Sequence, residues 1–195
     1  QIAELAAILE YSGAIRQKSS GEYCIEFLDE NNYVLEKCSS LLKKLFGYEE
    51  LREIEIERVL DTIKYTKGDN LVNPMVMKNQ CCKRAYLRGA FLCMGSMSNP
   101  EKEYHLEFVC ESMRQAFQIQ EALMTFEIET KVVTRKKYQV LYIKESEIIV
   151  ELLNIVGAHI SLMNLENIRI LNRYDADRLS EEKFEYAVNT VFSEP

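Results

Sequence analysis

The sequence predicts an α+β fold made of two tandem copies of one unit, related by a pseudo-two-fold axis. Three observations carry this. ELAAILEYSGAI at residues 4–15 recurs eighty-two positions later as YLRGAFLCMGSM, with Leu5 on Leu87 and Gly13 on Gly95. GEYCIEFL at residues 21–28 recurs as KEYHLEFV at residues 102–109, keeping an E-Y-x-x-E-F spacing. A helical segment follows each copy, at residues 31–46 and 111–126. Matching glycines and a shared polar spacing are more specific than two halves of similar composition.

The opening helix of each unit carries a stripe of small residues: Ala3, Ala7, Ala14 and Ala85, Gly89, Ser96. Small side chains on one helical face let two backbones approach closely, so the two helices are expected to pack on each other. A short polar turn is then expected, followed by a strand. Residues 22–28 alternate in the two-residue period of a half-buried strand. Residues 31–46 place Val34, Leu35, Cys38, Leu41, Leu42 and Leu45 on one face, and Gly47 reads as a stop. VLDTIK at residues 59–64 echoes VLYIK at residues 140–144, which reads 53–64 as strand material. Residues 66–79 contain Gly68 and Pro74 and show no helical period, so they read as the loop joining the units. In the second unit, residues 129–134 and 137–143 form a hairpin with Arg135, Lys136 and Lys137 at its turn. Residues 145–156 form a helix stopped by Gly157, and residues 161–171 form another. The units thus divide at 1–79 and 80–171, with an extension over 172–195.

Composition narrows the classes. The chain has 195 residues, 24 Lys+Arg against 31 Asp+Glu, a formal net charge of −7 and 47% hydrophobic residues. These values fit a folded protein and exclude a disordered tail or a collagen-like chain. No apolar run approaches the roughly 20 residues of a membrane span, and no signal sequence opens the chain. Gln1 falls inside a helical pattern, so the chain is expected to be a fragment. The six cysteines are expected to be free thiols of a cytoplasmic protein. No C-x-x-C occurs, and Cys81 and Cys82 make a poor zinc pair, because helix neighbours point about 100° apart. No metal, cofactor or phosphate loop is expected. An acidic chain argues against general nucleic-acid affinity but not against a local basic face.

Leu87-Arg88-Gly89-Ala90-Phe91-Leu92-Cys93-Met94-Gly95 resembles the LAGLIDADG motif, and Leu5-Ala6-Ala7-Ile8-Leu9-Glu10-Tyr11-Ser12-Gly13 looks like its weaker twin. CCKRAYLRGAFLCMGSMSNPEKEYHLEF at residues 81–108 and LLNIVGAHISLMNLENIRIL at residues 152–171 are similar to two blocks of the WhiA family of sporulation regulators. The resemblance covers about residues 1–171. It implies a homing-endonuclease-like fold in a bacterial DNA-binding regulator of sporulation and cell division, associated with the nucleoid. That family continues into a helix-turn-helix domain, which residues 172–195 match poorly, and residues 61–79 do not resemble its usual linker.

LAGLIDADG nucleases place a carboxylate at the eighth motif position of each helix, where the pair collects hard divalent cations. Here those positions are Ser12 and Met94. Glu10 stands two residues earlier, on another side of the helix, and its counterpart is Leu92. The expectation is a non-enzyme with no catalytic residues and no metal. His105 on a half-exposed strand and Cys93 in an apolar helix read as structural.

Homing endonucleases lay paired sheets across DNA. On this resemblance the contacting residues are Arg52, Arg58 and Lys64, with Lys67, on the first strand pair, and Lys131, Arg135, Lys136, Lys137 and Lys144 on the second. Glu53, Glu55 and Glu57 interrupt the first set and weaken its field. DNA is thus the expected partner, mainly through the helix-turn-helix domain. The alternative is a protein-interaction module with no DNA affinity of its own.

Overall fold

The computed structural model describes residues 1–19, 21–27, 32–48, 53–159 and 161–173. The first half runs α1 (Ile2–Ser12), β1 (Gly13–Gln17), β2 (Tyr23–Phe27), α2 (Asn32–Phe46) and α3 (Glu53–Ile63). The second runs α4 (Gln80–Met94), β3 (Gly95–Met97), β4 (Leu106–Cys110), α5 (Met113–Met124), β5 (Lys131–Arg135), β6 (Tyr138–Ile143) and α6 (Ser146–Val156). Residues 161–173 are also helical. Helix, strand, strand, helix therefore occurs twice. β1 and β2 form a two-stranded antiparallel sheet, and the second sheet has the order β3-β4-β6-β5.

α1 and α4 pack face to face at the centre. Ala3 through Leu9 are all buried, because α1 is apolar on nearly every side and lies between α4, α2 and α3. The approach is as close as its small residues allow. A Cβ on Gly89 would stand 2.7 Å from the Glu4 carbonyl oxygen and 2.9 Å from the Ala7 Cβ.

Both motif helices end at a glycine in extended conformation, Gly13 and Gly95, whose N–H donates back to the Leu9 and Phe91 carbonyls. A Cβ on either would sit 2.5 Å from that same carbonyl oxygen, so only glycine permits so sharp a change from helix to strand. The strands begin at these residues. Ala14 and Ser96 consequently lie in β1 and β3, opposite Glu26 and Glu107, and not on the helix–helix face that the small-residue spacing predicts for them. Ala3, Ala7, Ala85 and Gly89 are helical and buried.

Residues 53–63 form a helix, not strands. Ile56, Val59, Leu60 and Ile63 are buried and recur at the i, i+3, i+4, i+7 spacing of one helical face. The likeness of VLDTIK to VLYIK is one of letters only. Among the described residues the first half lacks any counterpart of the β5–β6 hairpin, and α3 packs against β2 and α1 instead.

The loop between the halves is tied down. Arg114 pairs with Asp69 at 2.9 Å, and Gln115 Nε2 donates to the Asn70 carbonyl. Gln118 brackets Val72, accepting from its N–H at 3.0 Å and donating to its carbonyl at 2.7 Å. The same Gln118 Oε1 accepts from the Tyr11 hydroxyl at 3.0 Å, and Tyr11 and Tyr86 share a 2.7 Å hydrogen bond. One amide thus joins both motif helices, the loop and α5.

Candidate nucleic-acid interface

The register of the four-stranded sheet sorts its side chains by face. Leu106, Phe108, Leu141 and Ile143 turn inward and are buried. The open face carries three cross-strand rows. Ser96, Glu107, Tyr142 and Lys131 form the first. Val109, Val140 and Val133 form the second, in which Val133 is exposed, Val109 half-buried and Val140 buried, and Tyr138 and Arg135 form the third. Directly opposed residues share a face, so the cations of this hairpin flank a row of valines.

Glu107 stands among these cations and engages two of its neighbours. Its carboxylate is 3.0 Å from His105 Nε2 and 3.3 Å from Arg135 Nη1. The His105 ring also stacks on Tyr142, with centroids 5.8 Å apart. Arg135 is therefore partly neutralised in place. Lys131, Lys136 and Lys137 are exposed, and among the described residues no ion pair holds them. Lys136 and Lys137 form the two-residue turn, with Lys136 at φ 57°, and Lys137 reaches over the Tyr138 ring. Lys144 lies over Tyr142 just past the end of β6.

The cations expected in the first half do not join this face. Arg58 is exposed on α3. Lys64 follows the last turn of α3 and pairs with Asp61 at 3.2 Å. Lys67 donates to Gln17 Oε1. Arg52 lies outside the described residues. On the first sheet Arg16 pairs with Glu26 at 3.2 Å. Among the described residues, the expected cations that share one sheet face are those of the β5–β6 hairpin.

At the motif ends, Ser12 is buried and Met94 is half-buried. Glu10 is half-buried beside Asp69, and burial first, then that neighbouring charge, pushes its carboxyl up to about 7. Among the described residues no three His, Cys, Asp or Glu side chains are placed to hold a metal ion.

One charged site escapes a reading from residues alone. Glu4 is 2% exposed inside the helix pair, with Lys37 of α2 at 3.1 Å and Arg88 of α4 at 3.4 Å. Arg88 Nε also donates to the Val156 carbonyl at 2.7 Å, reaching the last turn of α6. A carboxylate within the apolar run of residues 2–9 is the available signal. Its partners come from distant segments and carry no local signature.

Residues 83–174 match the family model described as the WhiA LAGLIDADG-like domain. A probable cell division protein WhiA of Lachnoclostridium phytofermentans is 41% identical over 199 residues, covering 88% of this chain and 63% of that protein. Another from Thermoanaerobacter sp. is 37% identical, covering 87% and 62%. The chain thus spans somewhat under two thirds of these relatives. Among solved structures, full-length DUF199/WhiA from Thermatoga maritima superposes with a TM-score of 0.62 at 18% identity, over 97% of this chain and 68% of that one. The N-terminal LAGLIDADG domain of DUF199/WhiA gives 0.55 at 22% identity, over 80% and 81%. These likenesses establish the α+β LAGLIDADG fold. Among the described residues no helix is long and apolar enough to cross a membrane. Through its LAGLIDADG-like part, the chain belongs to the WhiA family.

Proposed function

We propose that this fold is a non-enzymatic module of a DNA-binding regulator of sporulation and cell division, and that its β5–β6 hairpin contacts the DNA backbone. The observation that carries the reading is the absence of acids at the two eighth motif positions together with a lysine cluster on one sheet face. A hydroxyl at Ser12 and a thioether at Met94 give a hard cation no charged oxygen, and magnesium surrenders its water only to such ligands. Lys136 and Lys137 meanwhile stand at the hairpin turn with no carboxylate paired to them among the described residues, and Lys131 and Lys144 stand on or beside the same face, with Glu145 near enough to Lys131 to feel its charge. Lysines at such positions neutralise phosphates without reading bases. Sequence specificity then rests with a helix-turn-helix domain of the whole regulator, which works at the nucleoid in the cytoplasm.

Glu107 and the valine row support a second reading, a docking face for a protein partner. The two readings predict opposite behaviour. If DNA lies here, Glu107→Gln releases Arg135 and tightens binding to duplex DNA. Replacing Arg135, Lys136 and Lys137 by alanine weakens binding to all sequences alike and reduces the salt slope by about 0.9 for each phosphate no longer neutralised. Fluorescence anisotropy at several salt concentrations reads both effects. Unchanged affinity and slope in both variants would move DNA off this face and favour the partner.

A further inference from the structure

We propose that Cys81 and Cys82, with Met75 as third donor, form a site for one soft monovalent metal ion of the Cu(I) class. The two thiols occupy the first turn of α4, where ideal helix geometry points neighbouring side chains about 100° apart. Their rotamers nevertheless bring the two Sγ atoms to 4.0 Å. Cys81 is exposed and Cys82 half-buried. Cys38 and Cys110 differ: both are buried, and burial pushes their thiols up to about 12 and about 11.

Both thiols line an open cleft of about 630 Å³, bordered by the start of α1, the ends of α2 and α3, and the short 3-10 turn Pro74–Met77. Met75 lines the same cleft and is 59% exposed, so its thioether is available. The other walls include Ile2, Leu45 and Lys64, and no carboxylate or imidazole is among the lining residues. A wall of sulfur without carboxylate donors excludes magnesium and calcium by type. Thiolate and thioether select soft ions.

At 4.0 Å apart the two Sγ atoms can both reach one ion at roughly 2.3 Å. A closed structural zinc site would require a fourth protein ligand, which the lining does not provide. Binding is a simple exchange without electron transfer: each thiol gives its proton to solvent, the ion arrives as Cu(I), and a complex with one net negative charge forms with the two thiolates. Lys64 at the cleft wall is already paired with Asp61, whereas the positive end of α4 offsets that charge. Asn79 makes no side-chain cap there, and no acidic residue occupies the first turn. Because Met75 belongs to the inter-unit loop, the bound ion would tie that loop to the second motif helix.

The test offers the reduced 195-residue chain Cu(I) held by a chromophoric chelator and reads transfer as loss of the chelator's colour. One equivalent should transfer to the wild type. Cys81→Ser/Cys82→Ser should lose that equivalent while retaining the wild-type melting temperature, and Met75→Leu should hold it at least roughly tenfold more weakly. Should the double variant fold poorly, Cys81→Ser alone, at an exposed side chain, must still abolish the transfer. Equal transfer to the serine variants would overturn the proposal. So would equal competition by Zn(II), or a fully reduced chain that keeps both thiols titratable in the presence of Cu(I) and never holds copper.

Discussion

Gly89→Ala adds one methyl group where the two motif helices touch. Its Cβ would lie 2.7 Å from the Glu4 carbonyl and 2.9 Å from the Ala7 Cβ, against the roughly 3.5–4.0 Å of ordinary carbon contacts. The nearer atom is backbone, so no rotamer change relieves it and α1 must move. Overpacking of this kind costs about 1–3 kcal/mol. Alanine is the better helix former and returns about 0.5–1 kcal/mol. Displacing α1 also loosens Glu4 from Lys37 and Arg88, a buried cluster whose disruption is expensive. The net expectation is a loss of roughly 1–3 kcal/mol, or about 2–12 °C in melting temperature for a chain of this size. Adding Ala7→Gly removes the side-chain clash but not the carbonyl clash, so it should restore part of the stability. Gly89→Leu should cost considerably more than Gly89→Ala. A Gly89→Ala melting temperature equal to or above wild type is what helix propensity alone would give, and it would refute this view of the interface.

Burial raises the folded Glu10 carboxyl to about 7, above its unfolded value of 4.5, so the folded state holds the extra proton. Stability from this group is complete below about pH 4.5 and is lost as pH rises through 7. Allowing for its partial exposure, roughly 1–2 kcal/mol is involved. Glu10→Gln should flatten urea midpoints between those pH values and stabilise the chain at pH 8, and parallel profiles would contradict this. Gln118→Leu leaves the Val72 N–H and carbonyl without their partner, at a cost of about 2–4 kcal/mol. Its urea midpoint should fall and the Val72 amide should lose exchange protection; an unmoved midpoint would show the network to be dispensable. Ser12→Asp/Met94→Asp should melt lower than wild type at neutral pH and recover partly with Mg²⁺ or Ca²⁺. A wild-type chain already stabilised by Mg²⁺ would reveal a metal site elsewhere.

Much of this architecture is legible in the residues because the repeat is written twice. Gly13 and Gly95 mark the same helix-to-strand corner, and both E-Y-x-x-E-F segments supply the next strand. The β5–β6 turn is visible in its three consecutive basic residues. The same repetition misleads at residues 53–64. There the likeness to VLYIK outweighs the helical spacing of Ile56, Val59, Leu60 and Ile63, which determines what that segment buries. It also carries the small-residue stripe past the corner to Ala14 and Ser96. The pairings that go unseen share a physical cause. Glu4 with Lys37 and Arg88, Gln118 with Val72, and Glu107 with Arg135 join residues far apart in the chain. Nothing local announces them. Of the nine cations expected on DNA, the fold gathers Lys131, Arg135, Lys136, Lys137 and Lys144 and ties Arg135 to Glu107.

A surface that holds DNA without cutting it should show both properties in one experiment. That experiment is the salt dependence of duplex binding by the 195-residue chain in Mg²⁺ buffer, with strand integrity read from the same samples. Lys131, Lys136, Lys137 and Lys144, each releasing counterions from one phosphate, predict a slope of log affinity against log salt of about −3.6, with every strand intact. A flat slope would remove DNA from the face, and reproducible nicking would show that the motif ends retain chemistry.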